Sequence, residues 1–295
     1  MANFPLKAAQ ISDIMPLLVK AFEDAGIETT TLDARLLLQH VTGLSHSEFI
    51  LRKGLVLSAD QTEALSHLVR RRMQREPISR ILGQSEFWSL PFLISENTLD
   101  PRPDTETLIE HALEMIGTRK NEPLRLLDLG TGSGCILLSL LHELPFATGL
   151  GVDINPGALE IANKNAANLA LDCRTKFQTS DWFSTVEGEF DVILSNPPYI
   201  PESELENLMP EVRFFDPTLA LNGGETGLNP YEIIFSRAKE FLAPSGLLLL
   251  EFGKGQDTQL VEMLTKSVLK PYIQNFDLKS DLSGTIRTLG AKFSF

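Results

Sequence analysis

A chain of 295 residues, 43% hydrophobic and 22% charged, carries enough apolar material for one large domain or two unequal ones. No apolar run approaches the roughly 20 residues that span a bilayer, and the opening MANFPLKAAQ lacks a signal-peptide pattern, so the expected location is the cytoplasm. The net charge of −13 lies in the rear: residues 1–85 hold 10 Lys/Arg and 9 Asp/Glu, leaving 16 and 30 beyond them, which argues against wrapping a nucleic-acid backbone.

Three segments of residues 1–80 have helical periodicity. ISDIMPLLVKAFEDAG stops at Gly26, and TTLDARLLLQHVTG follows capping threonines and stops at Gly43. SADQTEALSHLVRRRMQR starts on a Ser58 cap and ends before Pro77. A small helical bundle is expected for residues 1–80. The run RRRMQR at 70–75 reads first as a solvated helix face and second as a contact to a partner. From about residue 78 the pattern mixes β-formers with Gly, Pro and Asn, which predicts a hairpin linker over 81–101.

Beyond it, residues 102–295 alternate. The pattern predicts helix 105–117, strand 125–129, helix 135–143, strand 148–153, helix 156–169 and strands 175–179 and 190–195. A long irregular stretch, 197–227, precedes helix 229–242, strand 246–252, helix 256–268 and strands near 272–279 and 286–294. Such alternation makes an α/β fold with an open, largely parallel sheet, whose ligands sit at the C-terminal strand ends near the topological switch point.

Two motifs fall at those strand ends. LRLLDLGTGSGCILLSLL is a strand, a loop with Gly130, Thr131, Gly132, Ser133 and Gly134, and an apolar helix. Glycines there let the backbone turn tightly and approach a ligand. Asp153 ends the next strand, placed to accept hydrogen bonds from a ribose diol. Dinucleotide sites usually read G-x-G-x-x-G and face a pyrophosphate. Here the spacing is G-x-G-x-G after Asp128, and an acidic loop suits a phosphate-free, cationic ligand such as S-adenosyl-L-methionine. A third segment, TSDWF, offers Asp181 and Trp182 to an adenine; a buried Trp beside a helix cap is the competing reading.

The second motif is Asn196-Pro197-Pro198-Tyr199, closing an apolar strand. Proline has no N–H to donate and stiffens the corner. An amide nitrogen is a poor nucleophile, so attack on a sulfonium methyl needs its lone pair aimed along the S–CH₃ axis. The Asn196 side-chain oxygen and the Pro197 carbonyl are two acceptors suited to grip an –NH₂ group and support charge developing on it. Tyr199 is placed to cover the flat face of that group, and alignment supplies much of the rate. The five histidines and two cysteines show no metal-ligand spacing, so no metal is expected.

On the segments PISRILGQSEFW, PRPDTE, LDLGTGSG, VDI, SDWF, SNPPYIP, EVRFFDPTLALNGGETGL and DLSGTIR, most of the chain beyond residue 77 resembles the release-factor glutamine N5-methyltransferase family. The resemblance implies a helical N-terminal domain, a β-hairpin linker and a seven-stranded, mostly parallel Rossmann-like methyltransferase domain. It implies S-adenosyl-L-methionine as cofactor, held by Gly130 to Gly134 and Asp153, with Trp182 against the adenine. Asn196 would touch cofactor and substrate, and Pro197, Pro198 and Tyr199 would line a glutamine slot. The implied substrate is the Gly-Gly-Gln loop of class I peptide chain release factors.

Asp100, Asp104 and the pair Ser79-Arg80 depart from the family pattern, all in the linker or on the pocket rim. PRPDTE reads alternatively as a helix start with Asp104 or Thr105 as N-cap. Three other functions compete. An adenine N6-methyltransferase on DNA or RNA should carry a basic cleft, a nicotinamide oxidoreductase leaves N-P-P-Y unexplained, and an inactive binding module has no need of Asn196, Asp153 and the glycines.

Overall fold

The computed structural model describes residues 9–295. Residues 1–8, the start of the expected helical region and of the segment read for a targeting signal, lie outside the described residues. Two compact units are present: residues 9–83 with Met209–Phe215, and Gln84–Leu208 with Asp216–Phe295.

The first unit holds α1 (Ile11–Asp24), α2 (Thr30–Thr42), α3 (His46–Leu51), α4 (Ala59–Met73) and α5 (Ile78–Leu82). The three- and four-residue spacing puts Ile11, Ile14, Leu18 and Phe22 of α1 on one buried stripe, packed with Leu37, Leu38 and Leu65. Ser58 caps α4 through a reciprocal box: its Oγ accepts from the Gln61 N–H (3.2 Å) and its own N–H donates to Gln61 Oε1 (3.0 Å). The same device, Ser45 with Glu48, starts α3, an element the periodicity did not reveal. Residues 78–82, expected within the hairpin stretch, form helix α5, closed by Gly83 at φ +70°.

The arginine run is not a solvated face, and the structure corrects that expectation. Arg72 is buried: its Nε donates to Asp33 Oδ2 (2.7 Å) and its Nη1 to Glu211 Oε1 (3.3 Å). Arg75 forks onto both oxygens of Glu211 (2.6 and 2.7 Å), and Arg71 pairs with Glu76. These guanidiniums neutralise acids within their own unit, where a buried charge requires a partner.

The second unit opens with the hairpin β1 (Gln84–Phe87) and β2 (Leu90–Leu93). The series continues with α6 (Glu106–Ile116), β3 (Arg125–Leu129), α7 (Cys135–Glu143), β4 (Thr148–Asp153), α8 (Pro156–Asn168), β5 (Thr175–Thr179) and β6 (Phe190–Ser195). After the short α9 (Pro210–Arg213), which belongs to the first unit, come α10 (Asn229–Arg237), β7 (Leu242–Glu251), α11 (Asp257–Lys266), β8 (Ile273–Ser280) and β9 (Ile286–Phe293).

β3 to β9 form one seven-stranded sheet in the order β5-β4-β3-β6-β7-β9-β8, parallel except for β9, which runs antiparallel to both its neighbours. Alternate residues of the central strands face opposite apolar layers: Leu126 and Val192 pack on α6 and α7, Leu127 and Ile193 on α10 and α11. The expected helix 229–242 overruns, because a 3-10 turn at Ala238–Glu240 ends it and Leu242 already pairs with Phe190 as strand. The chain leaves the sheet centre in two directions, toward β4 from β3 and toward β7 from β6. The switch point is therefore the crevice beyond the C-terminal ends of β3 and β6. Among the described residues no helix is long and apolar enough to cross a membrane.

Candidate active site

That crevice contains a cavity of about 410 Å³. Its floor is the loop after β3, where Gly130 (φ +71°) and Gly132 (φ +55°) turn the chain in a region costly for other residues. Gly134 (φ +80°) lies behind the loop, at the N-cap of α7. A Cβ there would sit 3.2–3.3 Å from Leu138, Ala162 and Phe177, so glycine is needed for close packing.

Asp153, at the end of β4, fastens this loop: its Oδ2 accepts from the Gly132 N–H and its Oδ1 from the Asn155 N–H, both at 2.9 Å. Burial raises its carboxyl above the ordinary range, and the backbone donors pull the other way. Beneath the loop, Asp128 is fully buried. Its Oδ2 accepts from Thr131 Oγ1 (2.6 Å), its Oδ1 has no hydrogen-bond partner, and burial pushes the acid up to about 7. Cys135 also faces the cavity, and burial pushes its thiol up to about 12, leaving it unreactive.

On one side Ser180, Asp181 and Trp182 complete the wall. Trp182 has φ +50°, a strained conformation for a large side chain, held as Ser180 Oγ donates to its carbonyl (2.8 Å). On the other side stands the end of β6. Ser195 Oγ donates to the Leu129 carbonyl at 2.7 Å and stitches the two strand ends together. Asn196 and Pro198 face the cavity; Pro197 is buried and Tyr199 half-buried, and neither is on the cavity wall. Tyr199 packs into the apolar layer under the sheet, where burial, then the neighbouring Glu251, pushes its phenol up to about 12.

Of the residues singled out from the sequence, Gly130, Thr131, Gly132, Ser133, Asp153, Asp181, Trp182, Asn196 and Pro198 share one cavity. Several neighbours were not foreseen. Thr105 is no side-chain cap for α6: its hydroxyl accepts from Asn196 Nδ2 at 3.2 Å. Glu251, at the end of β7, is buried beside that pair. The loop 216–224 roofs the cavity, anchored by Arg102, whose Nη2 donates to buried Asp216 at 2.5 Å. Just past that loop, Gly227 brings the chain close against the corner, since a Cβ at its φ of +76° would lie 2.4 Å from the Tyr199 carbonyl. The sequence signal for this last contact was present in NGGETG. Among the described residues no cluster suits a metal ion.

The residues fit S-adenosyl-L-methionine. Glycine backbone leaves room for an approaching ligand, Asp153 keeps lone pairs for a ribose diol, and no phosphate-binding cation lines the floor. The unpartnered oxygen of Asp128 adds a further acceptor beneath the loop.

Fold and cavity together define an α/β methyltransferase. Residues 84–214 match the methyltransferase small domain, and residues 17–83 match the PrmC N-terminal domain. The release factor glutamine methyltransferase of Rhodospirillum rubrum is 47% identical over 268 residues, covering 91% of this chain and 80% of its own. That of Bradyrhizobium diazoefficiens is 40% identical over 289 residues, covering 98% and 96%. Among solved structures, the hMettl16 catalytic domain in complex with MAT2A 3′UTR hairpin 6 has a TM-score of 0.59 at 16% identity, covering 88% of this chain and 93% of its own, a likeness of fold alone. The chain belongs to the release factor glutamine methyltransferase family.

Proposed function

We infer that the chain transfers a methyl group from S-adenosyl-L-methionine to the side-chain amide nitrogen, N5, of the glutamine in the Gly-Gly-Gln motif of class I peptide chain release factors. One observation carries the reading: in a chain of this family, the donor loop after β3 and the Asn196-Pro197-Pro198-Tyr199 corner after β6 meet at one crevice.

Gly130, Thr131, Gly132, Ser133 and Asp153 would hold the cofactor, with Trp182 beside its adenine and Gly134 packing the loop from behind. When bound, that cofactor supplies an electrophilic sulfonium methyl. Asn196 Oδ1 and the Pro197 carbonyl accept from the two hydrogens of the glutamine amide and so fix the direction of its nitrogen lone pair. As that nitrogen becomes positive, the same two oxygens stabilise the charge in a site partly closed to water. Pro198 lines the slot, and Tyr199, packed into the apolar layer behind the corner, holds it in place. Asn196 also borders the cofactor, and no strong base is required, since an N-methylated amide cation loses its proton readily.

The helical segment 1–80 recognises the release factor, 81–101 links, and 102–295 carries out the transfer. The acidic rear half supports the absence of direct, sequence-specific nucleic-acid binding. The cytoplasm, where release factors work, is the expected location. The test is to incubate the protein with isotope-labelled cofactor and a purified class I release factor, then map the added methyl by mass spectrometry. Label on the Gly-Gly-Gln glutamine is expected. Label on nucleic acid with none on glutamine would overturn the reading in favour of adenine N6-methylation.

A further inference from the structure

A side-chain carboxamide is nearly symmetric in shape, yet its two ends are chemical opposites: one donates and the other accepts. Asn196 performs the role assigned above only if its oxygen, and not its –NH₂, faces the glutamine. Something must decide between the two orientations.

The deciding contact is made at the nitrogen end of the amide, by Thr105, which also lines the cavity. Asn196 Nδ2 donates to Thr105 Oγ1 at 3.2 Å. Thr105 is 2% exposed, and its hydroxyl makes no cap bond to α6, although it stands where that helix begins. Buried Glu251 lies beside both side chains: burial raises its carboxyl, while Thr105 and Asn196 pull the other way, which makes it the acceptor facing the one Thr105 proton. Glu251 is itself 2% exposed and not on the cavity wall. It ends β7, the strand paired with β6 in the register Ser195 opposite Leu250, so the sheet delivers it next to Asn196. Its Oε2 has no hydrogen-bond partner, a costly arrangement for a group with no contact to ligand.

Resting on the functional reading above, we propose that Thr105 and Glu251 are positioning residues. They form a one-way relay, Asn196 to Thr105 to Glu251, that turns the Asn196 oxygen toward the substrate amide. The direction follows from the donor inventory. A carboxylate only accepts, so the Thr105 proton is committed to it and Thr105 presents lone pairs to Asn196. Reversing the Asn196 amide sets oxygen against oxygen at Thr105 and leaves Glu251 short of a donor in a buried site. When protonated, Glu251 keeps one accepting oxygen, and the relay holds its direction as long as that oxygen, not the O–H, faces Thr105.

The test uses the full chain with Thr105→Val, Thr105→Ser and Glu251→Gln. Valine keeps the shape of threonine and removes the lone pairs. Its kcat toward a purified release factor should fall by about 10²-fold, as for other lost preorganising contacts. Its KM and the Kd for S-adenosylhomocysteine by calorimetry should stay within about threefold, and Thr105→Ser should recover most of the rate. Glu251→Gln, able to donate to Thr105 and confuse the direction, should lose about tenfold.

The second readout needs no substrate. In ¹⁵N-labelled protein the Asn196 side-chain amide protons should exchange with water at least about tenfold faster in Thr105→Val than in wild type and Thr105→Ser. An unchanged exchange rate, an unchanged kcat, or a loss confined to cofactor Kd would overturn the relay. If the wild type methylates no release-factor glutamine, the functional reading fails, and the exchange measurement alone judges the relay.

Discussion

The two banks of the cavity are built by different means. The glycine loop after β3 is shaped by its own backbone and tied down by one nearby acid, Asp153, across 21 residues of sequence. The corner after β6 is shaped by distant groups: Thr105, 91 residues away from Asn196, Glu251 on the neighbouring strand, and Gly227, which brings the chain close against Tyr199. Each bank also rests on a fully buried acid, Asp128 beneath one and Glu251 behind the other. The comparison teaches that binding a cofactor here is a matter of local turn chemistry. Aiming a carboxamide requires contacts gathered from across the fold.

The sharpest way to break that comparison is Asn196→Ala. It should lower kcat by about 10²–10³-fold and leave cofactor Kd within about threefold, read by single-turnover transfer and calorimetry. The mirror experiment is Asp153→Ala, which should weaken cofactor binding by about 10²-fold through loss of the diol acceptor and of the loop fastening, with a smaller effect on kcat at saturating cofactor. If both variants lost binding and rate alike, the two banks would not be separable.

The buried acids sharpen the comparison through pH. Asp128 and Glu251 both have carboxyls raised to about 7 by burial, against unfolded values near 4. Between those values the folded chain binds more protons than the unfolded chain, so stability is full below about pH 4 and falls as pH rises toward 7. Asp128→Asn and Glu251→Gln should each flatten that decline, by on the order of 2 kcal/mol between pH 5 and 7 in urea unfolding. Gly227→Ala, whose Cβ would meet the Tyr199 carbonyl, should shift the chain against the corner and lower kcat about tenfold with cofactor affinity retained.

The sequence revealed the fold to different depths in different places. Strands 125–129, 148–153, 175–179 and 190–195 were legible to the residue, because each is a short apolar or β-rich run bounded by turn-formers. Helix α5 was not, since five residues carrying Ile78 and Ile81 show no full helical period. The end of α10 was overrun because Phe241 and Leu242 continue an apolar spacing that the sheet captures as strand. Arg72 looked like part of a basic surface until the fold placed Asp33 and Glu211 against it.

The glycine loop, Asp153, Trp182 and Asn196 could be brought to one cavity from the sequence because each position is set by local turn chemistry or by a strand end. Thr105 and Glu251 could not. A threonine before a helix ordinarily means a cap, and a glutamate after four leucines ordinarily means a strand reaching solvent. Only the pairing of β6 with β7 brings them together.

The most direct measurement is a structure of the protein with S-adenosylhomocysteine and a release factor presenting its Gly-Gly-Gln loop. The account predicts the glutamine amide nitrogen within about 3.2 Å of both Asn196 Oδ1 and the Pro197 carbonyl, facing the cofactor sulfur. A glutamine bound elsewhere, or an Asn196 turned with its –NH₂ toward the substrate, would contradict it.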